Sequence, residues 1–94
     1  MGQKDNPMKK LVQVQECEGE GLLSLLGQRV TIFALNYIYT GELEGVNQTC
    51  VKLKDASVVY ETGSFADPKW KDAQALPYSL YVQLSAIESF MVLK

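Results

Sequence analysis

The sequence predicts a mainly β protein, a small and strongly bent five-stranded antiparallel barrel preceded by a short N-terminal helix. From Arg29 onward, β-branched and aromatic residues dominate, which is typical of strands. Gly41 and Gly45 fall within one such run, where glycine marks a sharp bend or the close approach of another backbone. Near Asp55 the apolar alternation shifts by one residue, which indicates a β-bulge. Strands that bend in this way close into small barrels.

The N-terminal part supplies a tail and the helix. Residues 1–8 are polar and are predicted to form a flexible tail. Residues 9–94 are predicted to form a single domain, because a chain of 94 residues has the length of one domain. Residues 10–16 alternate valine with glutamine, which favours a short strand, with a helix as the alternative. Residues 22–26, LLSLL, are expected to form one or two helical turns that Gly27 ends.

The central strands are predicted from the alternation of apolar and polar residues. The next strand places Val51 and Leu53 inward, and Lys52 and Lys54 outward. Asn36 is expected at a turn, because asparagine tolerates the left-handed backbone conformation. Five large apolar residues around that turn fall at odd positions and are predicted to share one face: Phe33, Leu35, Tyr37, Tyr39 and Leu43.

Residues 61–79 are predicted to form one long loop, since they contain a glycine and two prolines and show no clean period. A loop of this length in a compact domain is uncommon and is functional or faces a partner. Lys69 and Lys71 flank Trp70, and lysines beside an aromatic ring can contact nucleic acid. Two nearby aspartates offset these charges, so nucleic-acid contact is the alternative to an anchoring role for the loop. Three aromatic residues are expected to anchor the loop on the barrel or on an adjacent subunit, with Trp70 as the main anchor: Phe65, Trp70 and Tyr78.

The composition argues against an enzyme. The sequence has no histidine, which removes the commonest general base and the commonest metal ligand. Glu42 and Glu44 alternate on one predicted strand and are interpreted as part of a solvated face. The sequence therefore predicts no catalytic residue, no metal site and no cofactor. A formal net charge of −2 also disfavours strong non-specific binding to nucleic acid.

The expected location is the cytoplasm. No apolar run reaches the roughly 18–20 residues of a membrane span, and no signal peptide is predicted at the N-terminus. Cys17 and Cys50 have no C-x-x-C spacing, so they fit buried thiols in a reducing compartment better than a disulfide. We expect no membrane partner.

Two segments resemble the Sm/Lsm family, and most of all its bacterial Hfq branch. Residues 41–55, GELEGVNQTCVKLKD, are similar without a gap to the segment G-x-I-E-S-F-D-Q-F-V-I-L-L-K-N of that branch, and residues 85–90, SAIESF, are similar to H-A-I-S-T-V. The resemblance covers about residues 21–60 and 80–93. It implies an Sm-like (SH3-like) barrel and a cyclic homo-oligomer of five to seven subunits.

Departures from the family pattern fall on its RNA site. Asn47 stands where the family has Asp, and Thr49 where it has an aromatic residue. Leu84 and Ser85 replace a Lys-His pair. Because base stacking on an aromatic ring contributes about 1–3 kcal/mol per base, RNA binding is expected to be weak. The resemblance implies that four residues would line an RNA site: Asn47, Gln48, Thr49 and Ser85.

The last two predicted strands, residues 80–84 and 90–93, are candidates for the subunit interface. In the Sm family such strands pair between neighbouring subunits, and unpaired apolar edges need covering. The predicted interface residues are Leu80, Val82, Leu84, Phe90 and Val92. The predicted function is a non-enzymatic binding or scaffold module in a homo-oligomeric ring, with RNA or another protein as the partner. The alternative is a monomeric SH3-like barrel that recognises a protein or peptide.

Overall fold

The computed structural model describes residues 21–94, which form a mainly β structure. The strands and two short 3₁₀ turns follow one another along the chain. They are a first 3₁₀ turn (Leu22–Leu25), β1 (Arg29–Ala34), β2 (Ile38–Val46), β3 (Cys50–Glu61), β4 (Asp72–Ala75), β5 (Leu80–Gln83), a second 3₁₀ turn (Leu84–Ala86) and β6 (Ile87–Val92). No helix in this part of the chain is long and apolar enough to cross a membrane.

All strand pairs are antiparallel and belong to one sheet in the order β4-β3-β2-β1-β6. Strand β3 has 12 residues. One of its edges pairs with β2, and its other edge pairs with both β5 and β4. Its residues 50–53 pair with β5, and its residues 57–61 pair with β4. Within residues 21–94, no pairing joins β6 to β4 or β5, so the sheet is open.

The mainly β antiparallel class is confirmed, and three finer predictions are corrected. The sheet has six strands rather than five. Closure into a barrel is not confirmed, because the sheet is open among the described residues. The predicted helix over residues 22–26 is a single 3₁₀ turn. Segment 61–79 holds strand β4, whose sequence DAQA has low β propensity and is fully exposed. Pairing with β3, rather than any local pattern, makes it a strand. The predictions for residues 1–8 and 10–16 lie outside the described residues.

The predicted bulge lies in the pairing of β2 with β3, opposite Gly41. Thr40 pairs with Ser57 and Glu42 pairs with Lys54, so that two residues of β3 oppose Gly41 alone. Asp55 takes a φ of 51° at this point. A Cβ on Gly41 would lie 3.1 Å from both the Ala56 Cα and the Lys54 carbonyl oxygen. The close backbone approach expected from the glycine is therefore confirmed.

A Gly41→Ala substitution is expected to lower the free energy of unfolding by about 1–3 kcal/mol, because the added methyl group meets backbone atoms that the ladder holds in place. Gly45→Ala is the matched control, since its Cβ would meet only the Lys52 Cβ, at 3.8 Å. We expect that control to be neutral or stabilising by less than about 1 kcal/mol. Urea denaturation compares the two variants. Equal changes in the free energy of unfolding for the two variants would show that β3 is not tightly packed against Gly41.

The core is formed by side chains of β1, β2, β3 and β5. The inward prediction for Val51 and Leu53 is confirmed, since both are fully buried. The core cluster consists of Val30, Ile32, Leu43, Val51, Leu53, Ala56 and Val82. Partly buried residues that pack around it include Tyr39, Leu76, Leu80, Leu84 and Ile87.

The prediction of one shared odd-numbered face is wrong. Leu35 and Tyr37 lie in the turn between β1 and β2 and are exposed, whereas the core residues of β1 are the even-numbered Val30 and Ile32. The reason is the tight turn around Asn36, where the Ala34 N–H donates to the Tyr37 carbonyl at 2.9 Å. A turn interrupts the alternation of inward and outward side chains. The alternation must therefore be assigned separately for the strand before the turn and the strand after it.

Candidate functional site

The side chain of Asn47 holds the β2–β3 turn together. Its Oδ1 accepts hydrogen bonds from the Thr49 N–H at 2.8 Å and the Cys50 N–H at 2.9 Å, and from the Thr49 hydroxyl at 3.1 Å. The Asn47 N–H donates to the Cys50 carbonyl at 3.0 Å. Asparagine is favoured in turns because its short side chain can bond the backbone a few residues ahead. The amide oxygen is therefore occupied by the turn rather than available to a ligand.

The four residues predicted to line an RNA site come from two neighbouring turns. The Leu84 N–H donates to the Thr49 carbonyl at 2.8 Å, which joins the second 3₁₀ turn to the β2–β3 turn. Gln48, Thr49 and Ser85 are all exposed, as is Asn47. This surface offers an amide and two hydroxyl groups that can form hydrogen bonds with a base. The four side chains supply no ring for stacking and no cation for a phosphate.

The nearby lysine on β3 has a partner within the chain. The Lys52 Nζ lies 3.3 Å from the Glu44 Oε1 and 5.7 Å from the centroid of the Tyr81 ring. The hydrogen bond and charge of Glu44, with a smaller contribution from Tyr81, raise the pKa of the Lys52 ammonium. The charge of Lys52 is therefore already matched by a carboxylate. The pair is well exposed, so its contribution to stability is small.

Strands β5 and β6 each have one free edge. Among residues 21–94, β5 pairs only with β3 and β6 pairs only with β1. Both edges carry exposed large side chains, Tyr81 on β5 and Phe90 and Val92 on β6. Unpaired N–H and C=O groups beside such side chains form a surface on which another strand can pair.

The predicted interface residues divide into two groups. Phe90 and Val92 are exposed on β6, as an interface requires. Val82 is only 4% exposed and belongs to the core of the chain, and Leu80 and Leu84 pack against that core. The residue that the sequence analysis missed is Tyr81. Strand alternation could have identified it, since burial of residues 80 and 82 turns residue 81 outward.

An aromatic groove lies between the β1–β2 turn and β5. Tyr37, Tyr39 and Tyr81 line it together with Leu35 and Leu80, and it encloses about 290 Å³. The Tyr37 and Tyr39 ring centroids are 6.0 Å apart. An aromatic-lined groove of this kind fits an extended apolar or proline-containing segment.

Two of the three predicted loop anchors lie together. The Phe65 ring stands edge-on to the Trp70 ring with centroids 5.9 Å apart, and it lies 6.3 Å from Phe33. The Lys94 Nζ lies 4.5 Å from the centroid of Trp70 and donates to the Ser64 carbonyl at 2.6 Å. Tyr78, in contrast, is 82% exposed. Lys94 was not predicted at this surface, because no local pattern in the sequence relates it to Trp70.

No converging group of three or more His, Cys, Asp or Glu side chains that could hold a metal ion occurs within residues 21–94. Comparison with known proteins gives no match for the chain among protein-family models, curated proteins or solved structures. Function must therefore be inferred from the free strand edges, the aromatic groove and the surface around Lys94.

Proposed function

We propose that this protein is a non-enzymatic, Sm-like binding or scaffold module that assembles into a closed homo-oligomeric ring. The observation that carries the proposal is the pair of free edges, β5 and β6, at opposite ends of one bent sheet. When β5 of one copy pairs with β6 of the next, the contact is head-to-tail. A head-to-tail contact closes into a ring when its rotation divides a full turn.

The strand order supports the Sm-like part of the proposal. Strands β5 and β6 are consecutive in the chain and are joined by the second 3₁₀ turn, yet they lie at opposite ends of the sheet. The resemblance to the Sm family implies that the last two strands pair between subunits. A ring of five to seven copies is the state that this resemblance implies.

The exposed side chains on the two edges supply the apolar part of the contact. Tyr81 on β5 and Phe90 and Val92 on β6 would lose their exposure to water on pairing. Aromatic side chains dominate the energetics of protein interfaces. Since β5 has only 4 residues, backbone hydrogen bonds alone would form a short ladder, and these side chains are needed to hold it.

Native mass spectrometry at micromolar concentration tests the proposal. We expect one closed species whose mass is five to seven times the 10.5 kDa of the chain. Light scattering at several concentrations checks that the species is stable to dilution. A monomer in both measurements would contradict ring assembly.

A second candidate function is recognition of a peptide by a monomeric SH3-like domain. The aromatic groove lined by Tyr37, Tyr39 and Tyr81 favours it, because proline-rich segments dock in grooves of this type. A monomeric mass, together with proline-rich peptide binding that Tyr37→Ala abolishes, would favour this candidate over the ring.

Short uridine-rich RNA is expected to bind only weakly, with a dissociation constant above the micromolar range. Thr49 offers no ring for stacking, and the Asn47 amide oxygen is occupied within the turn. Fluorescence anisotropy at low salt measures the affinity, and Gln48→Ala should weaken whatever binding occurs through this surface. Sub-micromolar affinity with a steep dependence on salt would show that the surface is an RNA site after all.

A further inference from the structure

A cleft runs between segment 62–70 and the end of β6, and we name it the Lys94 cleft. It has two halves that share Arg29, Pro68 and Lys94. The basic half encloses about 420 Å³ and the apolar half about 530 Å³. It is separate from the turns around Asn47 and from the aromatic groove.

The basic half concentrates positive charge on a protein of net charge −2. Four cationic side chains line it against one carboxylate, that of Asp72: Arg29, Lys69, Lys71 and Lys94. Lys71 forms an ion pair with Glu61 at 3.6 Å. For the other three cations, no carboxylate of residues 21–94 lies within 4.0 Å. The only arginine of the chain is among them.

Lys94 is held in place from two sides. Its Nζ donates to the carbonyl oxygens of Thr62 and Ser64, at 3.2 and 2.6 Å. It also lies over the rings of Phe65 and Trp70, with 5.0 and 4.5 Å to their centroids. A cation fixed by neutral groups keeps its full charge for a ligand, and its position needs little further ordering on binding.

The apolar half places an aromatic ring beside this charge. Phe65 is 59% exposed, and Pro68 and Met91 continue the apolar lining. This half also contains one carboxylate, that of Asp67. Trp70 lines the basic half, and its indole N–H is itself buried without an acceptor in the described part of the chain. The cleft therefore combines an exposed ring with unpaired cations.

We propose that the Lys94 cleft binds a nucleotide, with its phosphate on the basic half and its base against Phe65 in the apolar half. A phosphate dianion matches several converging cations, and arginine binds phosphate oxygens in a bidentate manner. A planar base matches the exposed aromatic ring. A wholly apolar ligand would bury unpaired cations, which is unfavourable, and a metal cation would be repelled. The same chemistry serves a free mononucleotide or one residue of a single strand.

Trp70 reports on binding directly, because it is the only tryptophan of the chain and lines the cleft. AMP, adenosine, inorganic phosphate and a six-residue oligoadenylate are titrated into the full-length protein at low salt while its emission is followed. We expect AMP to change the emission and to bind at least about tenfold more tightly than adenosine or phosphate, each of which engages one half only. If oligoadenylate binds more tightly than AMP, the natural ligand is a single strand. If it binds equally or more weakly, the natural ligand is a free nucleotide.

Variants locate the site. The Arg29→Gln/Lys69→Gln double variant removes two exposed charges of the cleft and should weaken AMP binding by about tenfold or more. Lys54→Gln removes an exposed charge from β3 that lies outside the cleft, and it should leave the affinity unchanged. Far-UV circular dichroism checks that both variants fold. The proposal is overturned by an AMP response that is absent at millimolar concentration, by phosphate that binds as tightly as AMP, or by a double variant that binds like Lys54→Gln.

Discussion

If the proposed ring forms through β6, replacing Val92 by proline is expected to give monomers while the sheet itself stays folded. The Leu93 N–H donates to the Arg29 carbonyl at 2.8 Å, so these two residues form a hydrogen-bonded pair between β6 and β1. Hydrogen-bonded and non-hydrogen-bonded pairs alternate along an antiparallel ladder. The next pair, Val92 with Val30, is therefore non-hydrogen-bonded, and the Val92 N–H points to the free edge.

Proline at position 92 removes an edge donor without removing a donor of the β1 ladder, and its ring obstructs an incoming strand. Native mass spectrometry should then show mainly monomer, whereas the far-UV spectrum should keep its β signal. Val92→Thr is the matched control, because it keeps the N–H and the branched Cβ, and it should still form the ring. Intact rings for the proline variant, or dissociation of both variants, would refute pairing through this edge.

Val82 is unsuitable for the same test although it lies on the other edge strand. It is 4% exposed and pairs with Val51 within the subunit. A substitution there would remove part of the core, so loss of the ring could not be separated from loss of the fold.

The Leu53→Ala substitution is expected to lower the free energy of unfolding by about 2–5 kcal/mol. Leu53 is fully buried and pairs with Leu43 on one side and Leu80 on the other, so its loss leaves a cavity at the centre of the bent sheet. For a small domain this is a large part of a total of about 5–15 kcal/mol.

Guanidinium denaturation at one fixed protein concentration measures the effect, since assembly would make stability depend on concentration. Lys54→Ala, one position along the same strand, is the control and should change stability by less than about 0.5 kcal/mol because Lys54 is exposed. A loss below about 1 kcal/mol for Leu53→Ala would mean that residue 53 does not occupy the core.

Features that depend on neighbouring residues were predictable from the sequence. The mainly β class followed from residue types that favour strands, and the inward positions of Val51 and Leu53 followed from alternation within one strand. The bulge opposite Gly41 left two local signs, a glycine and a shift in alternation near Asp55. Each of these features is determined by the steric requirements of a single strand or of one strand pair.

Features that depend on distant residues were decided by the tertiary structure alone. Strand β4 exists because β3 offers it a ladder, and its DAQA sequence has no strand pattern of its own. The apolar face of β1 could not be assigned before the turn around Asn36 was located. Lys94 meets Trp70 only because β6 returns beside β1 and leads the chain end back to segment 62–70. Local preference cannot specify such contacts, because they form only when the whole sheet brings distant segments together and burial of shared apolar surface holds them there.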